Sequence, residues 1–70
     1  MNVVGPQVRH LRETQKMTQE EFTARCNVVG LNISRGTLAK IESQVRRITD
    51  DEVALLAKAL KVSVAALYRQ

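Results

Sequence analysis

Apolar residues along the chain recur at helical spacings, separated by polar positions and short breaks. Val4, Val8 and Leu11 fall at i, i+4 and i+7 with Gln7, Arg9, His10, Arg12 and Glu13 at other positions, and Pro6 suits a first helical turn. This predicts a first helix from Pro6 to about Gln15. Phe22 and Cys26 lie four apart and share a face in a second helix ending near Asn27 or Val28. Ile33, Leu38 and Ile41 can share one face around a third, about Ser34 to Ser43. Val53, Leu56, Ala57 and Leu60 mark a fourth, and Val64, Leu67 and Tyr68 a last short one. No segment alternates long enough for a strand. The pattern predicts an all-α fold, a five-helix bundle whose apolar stripes converge on one core.

The starts of these helices are written in their caps. In "TQEEF" the Thr18 hydroxyl can accept from the Glu21 amide while the Glu21 side chain returns to the Thr18 amide. Thr49 and Glu52 repeat the arrangement, with Asp50 and Asp51 adding negative charge at the positive end of the helix dipole. Ser63 caps the last helix. Ser34 caps the third, "NISRGTLAKIES", in which Arg35, Gly36, Thr37 and Lys40 lie off the apolar face. Gly36 is the odd residue there, because a glycine inside a helix costs about 1 kcal/mol relative to alanine. Short helices often begin with small polar residues, so the third helix alone does not decide between a capped start and a binding surface.

A chain of 70 residues, 44% of them hydrophobic, suits one small domain over 1–70 and leaves no room for an enclosed catalytic cleft. Eleven Lys and Arg against seven Asp and Glu give a net charge of +4, which favours acidic partners such as nucleic acid. Cys26 is the only cysteine, so no intrachain disulfide is expected, and it is read as a small buried apolar group in a reducing compartment. His10 and Cys26 have no third ligand at a recognisable spacing, so no metal and no cofactor are expected. Met1 to Pro6 lacks the order of a secretory leader, and Val53 to Leu60 is interrupted by Lys58 and too short to span a bilayer. A cytoplasmic protein without membrane contact is expected. No glycine-rich phosphate loop and no His and acid pair at catalytic spacing is present, which argues against an enzyme acting on a small-molecule substrate.

Three segments in order, "VRHLRETQKMTQEEFTARC", "ISRGTLAKIES" and "ITDDEVALLAKALKVSVAALY", resemble the phage-repressor and Cro-like helix-turn-helix family over nearly the whole chain. The resemblance implies a lambda-repressor-like DNA-binding domain whose third helix lies in the major groove with its first residues toward the bases. Arg35, Gly36, Thr37 and Lys40 become the implied base-reading set. A bare Gly36 would permit close approach, Arg35 could pair with guanine, and the Thr37 methyl could meet thymine. Gln19 matches a family position that holds a phosphate and buttresses the recognition helix, with Thr18 and Ser43 beside it. Arg46 and Arg47 fall in a loop bordering the DNA backbone, where cations neutralise phosphates without reading sequence. Arg12 and Glu42 match a structural ion pair between the first helix and the end of the third.

The chain departs from the family between the second and third helices, where "NVVGLN" replaces the common tight turn by a longer one. Val28, Val29, Leu31 and Ile33 are expected to fold back onto the core, with Gly30 permitting the bend. The resemblance implies a sequence-specific regulator of transcription, a repressor that binds a double-stranded operator; a homodimer on it is expected, through Val64, Leu67 and Tyr68, which form an apolar group on a last helix too short to bury everything. An adaptor module acting by protein–protein contact is the alternative, since a fold alone does not fix function.

Overall fold

Two reciprocal capping boxes set the start of the second and fourth helices. In a computed structural model describing residues 2–69, Thr18 Oγ1 accepts from Glu21 N at 3.0 Å and Thr18 N donates to Glu21 Oε1 at 2.8 Å. Thr49 and Glu52 form the same box at 3.2 and 3.0 Å. The helices are α1 (Gly5–Thr14), α2 (Gln19–Val28), α3 (Arg35–Glu42), α4 (Asp50–Leu60) and α5 (Val64–Leu67), with no strand among the described residues. α3 packs against α1 and α2, while α4 packs against α1, α2 and α5. The body measures 24 × 21 × 19 Å.

The core is built from Phe22, Leu38, Ile41, Leu56, Leu60 and Leu67, all under 2% exposed, with Val4, Val8 and Cys26 around them. Burial of each large apolar side chain contributes about 1.5 to 3 kcal/mol, so a domain this small depends on nearly every one of them. Leu67 belongs wholly to this core, so of the apolar group expected at a dimer interface only Val64 and Tyr68 remain exposed. The reason is length: α5 is one turn long and lies on α4, and the residue facing α4 is Leu67.

α1 begins at Gly5, one residue before the expected start, and ends at Thr14. Its N-cap position is Val4, which has no polar side chain. Asn2 supplies the cap instead, with Oδ1 accepting from Val4 N at 3.1 Å and Gly5 N at 2.9 Å.

Four helices close in one way. At the end of α2, Leu31 N donates to Cys26 O at 2.8 Å and Gly30 N to Asn27 O at 3.1 Å, a Schellman turn with Gly30 at φ +100°. Lys16, Gln44 and Lys61 take the equivalent left-handed place after α1, α3 and α4, at φ 59°, 67° and 59°. The turn after α2 carries Leu31 and Ile33 inward and leaves Val29 half-buried. Val28 does not fold back: it is 86% exposed, because it precedes the bend at Gly30 and points away from the core.

Candidate nucleic-acid interface

α3 is anchored at one end and open at the other. Glu42, its last residue, accepts from Arg12 Nε at 2.7 Å and Arg12 Nη2 at 3.2 Å, and from Gln19 Nε2 at 3.0 Å. One carboxylate thus joins α1, α2 and α3. Arg12 also donates through Nη1 to Met17 O at 2.7 Å, and the bond from Glu42 raises the guanidinium's affinity for its proton. Leu38 and Ile41 face the core from the same helix, which fixes its rotation and turns the opposite side outward.

At the open end, Ser34 Oγ accepts from Thr37 N at 3.2 Å and lies 3.1 Å from Thr37 Oγ1. Arg35, Gly36 and Lys40 are exposed and Thr37 is half-buried. Among the described residues only Ser34 Oγ, at 3.9 Å, would touch a Cβ at Gly36, so no packing among them requires glycine there. Arg35, Lys40 and Arg47 make no ion pair among the described residues. The outward side of α3 therefore carries Arg35 in its first turn and Lys40 in its last, with a bare backbone at Gly36.

A model of the family described as helix-turn-helix matches residues 8–67. The chain belongs to the Cro and phage-repressor type of helix-turn-helix proteins. That family is one of DNA-binding regulators. No curated protein and no solved structure matches the chain.

In this helix-turn-helix protein α2 and α3 are the two motif helices, and the connection between them runs over residues 29–34. Asn27 secures it from α2, donating through Nδ2 to Thr23 O at 2.8 Å and to Ile33 O at 3.5 Å. Leu31 and Ile33 plug it into the core, so the longer turn is a packed segment that delivers Ser34 to the N-cap of α3.

The other residues singled out in the sequence divide into two groups. Thr18 sits in its capping box, and Ser43 is exposed with its hydroxyl donating to Lys40 O at 3.3 Å. The Thr18 amide holds the exposed Glu21 carboxyl below its usual range. Gln19 is half-buried, its amide on Glu42. Arg46 is half-buried and grips Glu52 with two bonds, at 3.2 and 2.8 Å, while Nη1 also meets Arg47 O at 3.0 Å. This bond from Glu52 raises the Arg46 proton affinity, and the same bond from Arg46 lowers the Glu52 carboxyl. Arg47, next in the chain, is exposed. His10 is exposed, and Cys26 is buried, with its thiol pushed up to about 11 by desolvation.

Three connections lie beyond what local spacing in the sequence reveals. Glu52 serves both a capping box and the Arg46 ion pair, and only the box was visible as a local spacing. Gln44 Nε2 donates to Asn2 O at 2.9 Å across the whole motif. Asn2, preceding a helix, carried the signal of a capping residue, but that signal is hidden when the helix is started at Pro6.

Proposed function

We propose that the chain reads duplex DNA in the major groove with the N-terminal half of α3 and represses transcription from promoters that overlap its site. The observation that carries this reading is the combination at α3: Arg35 and Gly36 exposed in the first turn, Lys40 exposed in the last, and the Glu42 carboxylate beside Lys40 in that last turn already neutralised by Arg12. A free carboxylate beneath such a surface would repel phosphate. Arg35 suits guanine O6 and N7, Thr37 and Lys40 extend the contact, and Gly36 lets the helix backbone come close.

Phosphate holding is assigned to the edges of this surface. The capping box satisfies the amide of Glu21 and leaves the first-turn amides of Gln19 and Glu20 without a helical acceptor, which suits an anion. Thr18 and Ser43 offer hydroxyls beside it. Arg47 supplies the loop's free cation, and Arg46, whose two Nη atoms are on Glu52, acts mainly by fixing the loop that carries Arg47.

Two copies on a two-fold operator would double the few base contacts one domain can make. Val64 and Tyr68 are exposed, Tyr68 lining a groove with Val3, Pro6 and Arg69, and this end of the domain is assigned to the contact between copies. No helix among the described residues is long and apolar enough to cross a membrane, and the reading places the protein in the cytoplasm as a binding protein rather than an enzyme.

Selection of bound duplexes from random DNA tests the reading. A recovered common sequence, bound with an affinity that falls steeply as salt rises, is the expected result. No enrichment, together with a salt-insensitive protein complex, would favour an adaptor instead.

A further inference from the structure

We propose that Asn2 is a positioning residue for DNA recognition, locking the C-terminal end of α3 to the start of α1 so that the exposed end of α3 is held at one angle. The inference rests on the reading above, in which α3 enters the groove.

Asn2 is only 4% exposed, and both atoms of its side-chain amide are used twice. Oδ1 accepts from Val4 N and Gly5 N, capping α1. Nδ2 donates to Ile41 O at 2.6 Å, in the last turn of α3, and to Arg46 O at 3.2 Å, in the loop beyond it. The Asn2 carbonyl in turn accepts from Gln44 Nε2. Gly5 closes the same junction, since a Cβ there would overlap the Ile41 carbonyl oxygen. The backbones of α1 and α3 are therefore in direct contact at this point, with Asn2 bonded across it.

Among the described residues, the polar grips on α3 from α1, α2 and the segment before α1 fall on Ile41 and Glu42. Arg12 and Gln19 hold the Glu42 side chain, which has rotatable bonds between its carboxylate and the helix. Asn2 holds the helix backbone itself. An α3 of eight residues is roughly 12 Å long, so a tilt of about 10° at the anchored end moves the Arg35 end by about 2 Å. Functional groups must be held within about 0.5 Å of their working geometry, so such a tilt would misplace every base contact. The bond to Arg46 O extends the same control to the loop that presents Arg47.

Asn2→Asp separates the cap from the lock. A carboxylate still accepts from Val4 N and Gly5 N and suits a helix N-terminus, but it has no donor for the Ile41 and Arg46 carbonyls. Two probes are used: the duplex selected by the wild-type chain, and a mixed-sequence duplex of equal length. The expected result is binding about tenfold weaker on the selected duplex, as for one lost base contact, with little change on the mixed one. Circular dichroism should show α1 intact, and a repeated selection should return a broader base preference. Equal losses on both duplexes, in step with the unfolded fraction, would overturn the proposal and leave Asn2 a purely structural cap. If Asn2→Asp does not fold, Asn2→Ser carries the test, because a serine hydroxyl can still accept at a helix N-terminus but is too short to span to the Ile41 and Arg46 carbonyls. A reduced ratio between the two duplexes supports the lock, and an unchanged one overturns it. A wild-type chain that selects no sequence would end the groove reading itself. A wild type that selects, beside an Asn2→Asp variant that keeps its ratio, ends only the role of Asn2.

Discussion

Arg12 of α1 and Glu42 of α3 meet in a two-bond ion pair at 2.7 and 3.2 Å, with side chains only 9% and 4% exposed. Removing one partner of such a pair leaves the other charge desolvated and alone. Glu42→Ala should therefore destabilise the domain by about 3 kcal/mol, a large share of the stability of a chain this short. Gln19 would lose its acceptor as well. Urea unfolding measures the loss, and a change below about 1 kcal/mol would show that the pair behaves as a surface bridge.

Glu52 makes stability depend on acid. Its carboxyl lies below its ordinary value near 4.5, first because Arg46 bonds to it and then because Thr49 N–H donates to it, with burial opposing both. A carboxyl lowered by folding contributes stability above its unfolded value and loses that contribution as pH falls toward its folded value. The acid limb of the stability curve should therefore steepen below about pH 4.5. Glu52→Gln should flatten this limb, and Glu52→Ala should lose about 1 to 2 kcal/mol at neutral pH through the capping box and the ion pair together. Thermal melts across the acid range check both.

The left-handed positions after α2 and α4 should respond in opposite directions. Gly30 sits at φ +100°, which strains any other residue, so Gly30→Ala should cost about 1 kcal/mol or more although nothing would touch the added methyl. Lys61 takes φ 59° with a full side chain, and Lys61→Gly should gain up to about 0.5 kcal/mol after the greater freedom of glycine in the unfolded chain is set against the relief. Differential scanning calorimetry of the two variants tests the pair of signs.

What the sequence made legible was whatever lies within one helical turn. Thr18 with Glu21 and Thr49 with Glu52 are local spacings, and their helices begin where those boxes stand. Gly30 marked a bend because glycine is the usual residue there, whereas Lys16, Gln44 and Lys61 adopt the same backbone without that sign. Val28 and Leu31 look alike as letters, and only the direction of the turn after α2 decides that one is exposed and the other buried. Arg46 and Arg47 are likewise indistinguishable in sequence. Their difference arises because the loop brings Glu52 against one and leaves the other in solvent.

That difference gives a salt prediction. Each phosphate neutralised contributes roughly 0.9 to the slope of log affinity against log salt, so Arg47→Ala should flatten the slope by about one on cognate and random duplexes alike. Arg46→Ala should change the slope less and lower the melting temperature instead, since its guanidinium is held by Glu52. Fluorescence titrations at several salt concentrations would reveal equal slopes for the two variants if Arg46 were a free phosphate contact.

The open end of α3 is assigned the reading of sequence, and the decisive measurement is the affinity of Arg35→Ala for the selected duplex divided by its affinity for a random one. Arg35 is exposed and makes no ion pair among the described residues, so its loss should leave the fold intact. If it contacts a base edge, the variant should lose about 1 to 3 kcal/mol on the selected duplex and much less on the random one, so that the ratio collapses. An equal loss on both duplexes, with the ratio unchanged, would contradict the account and reduce Arg35 to a phosphate contact.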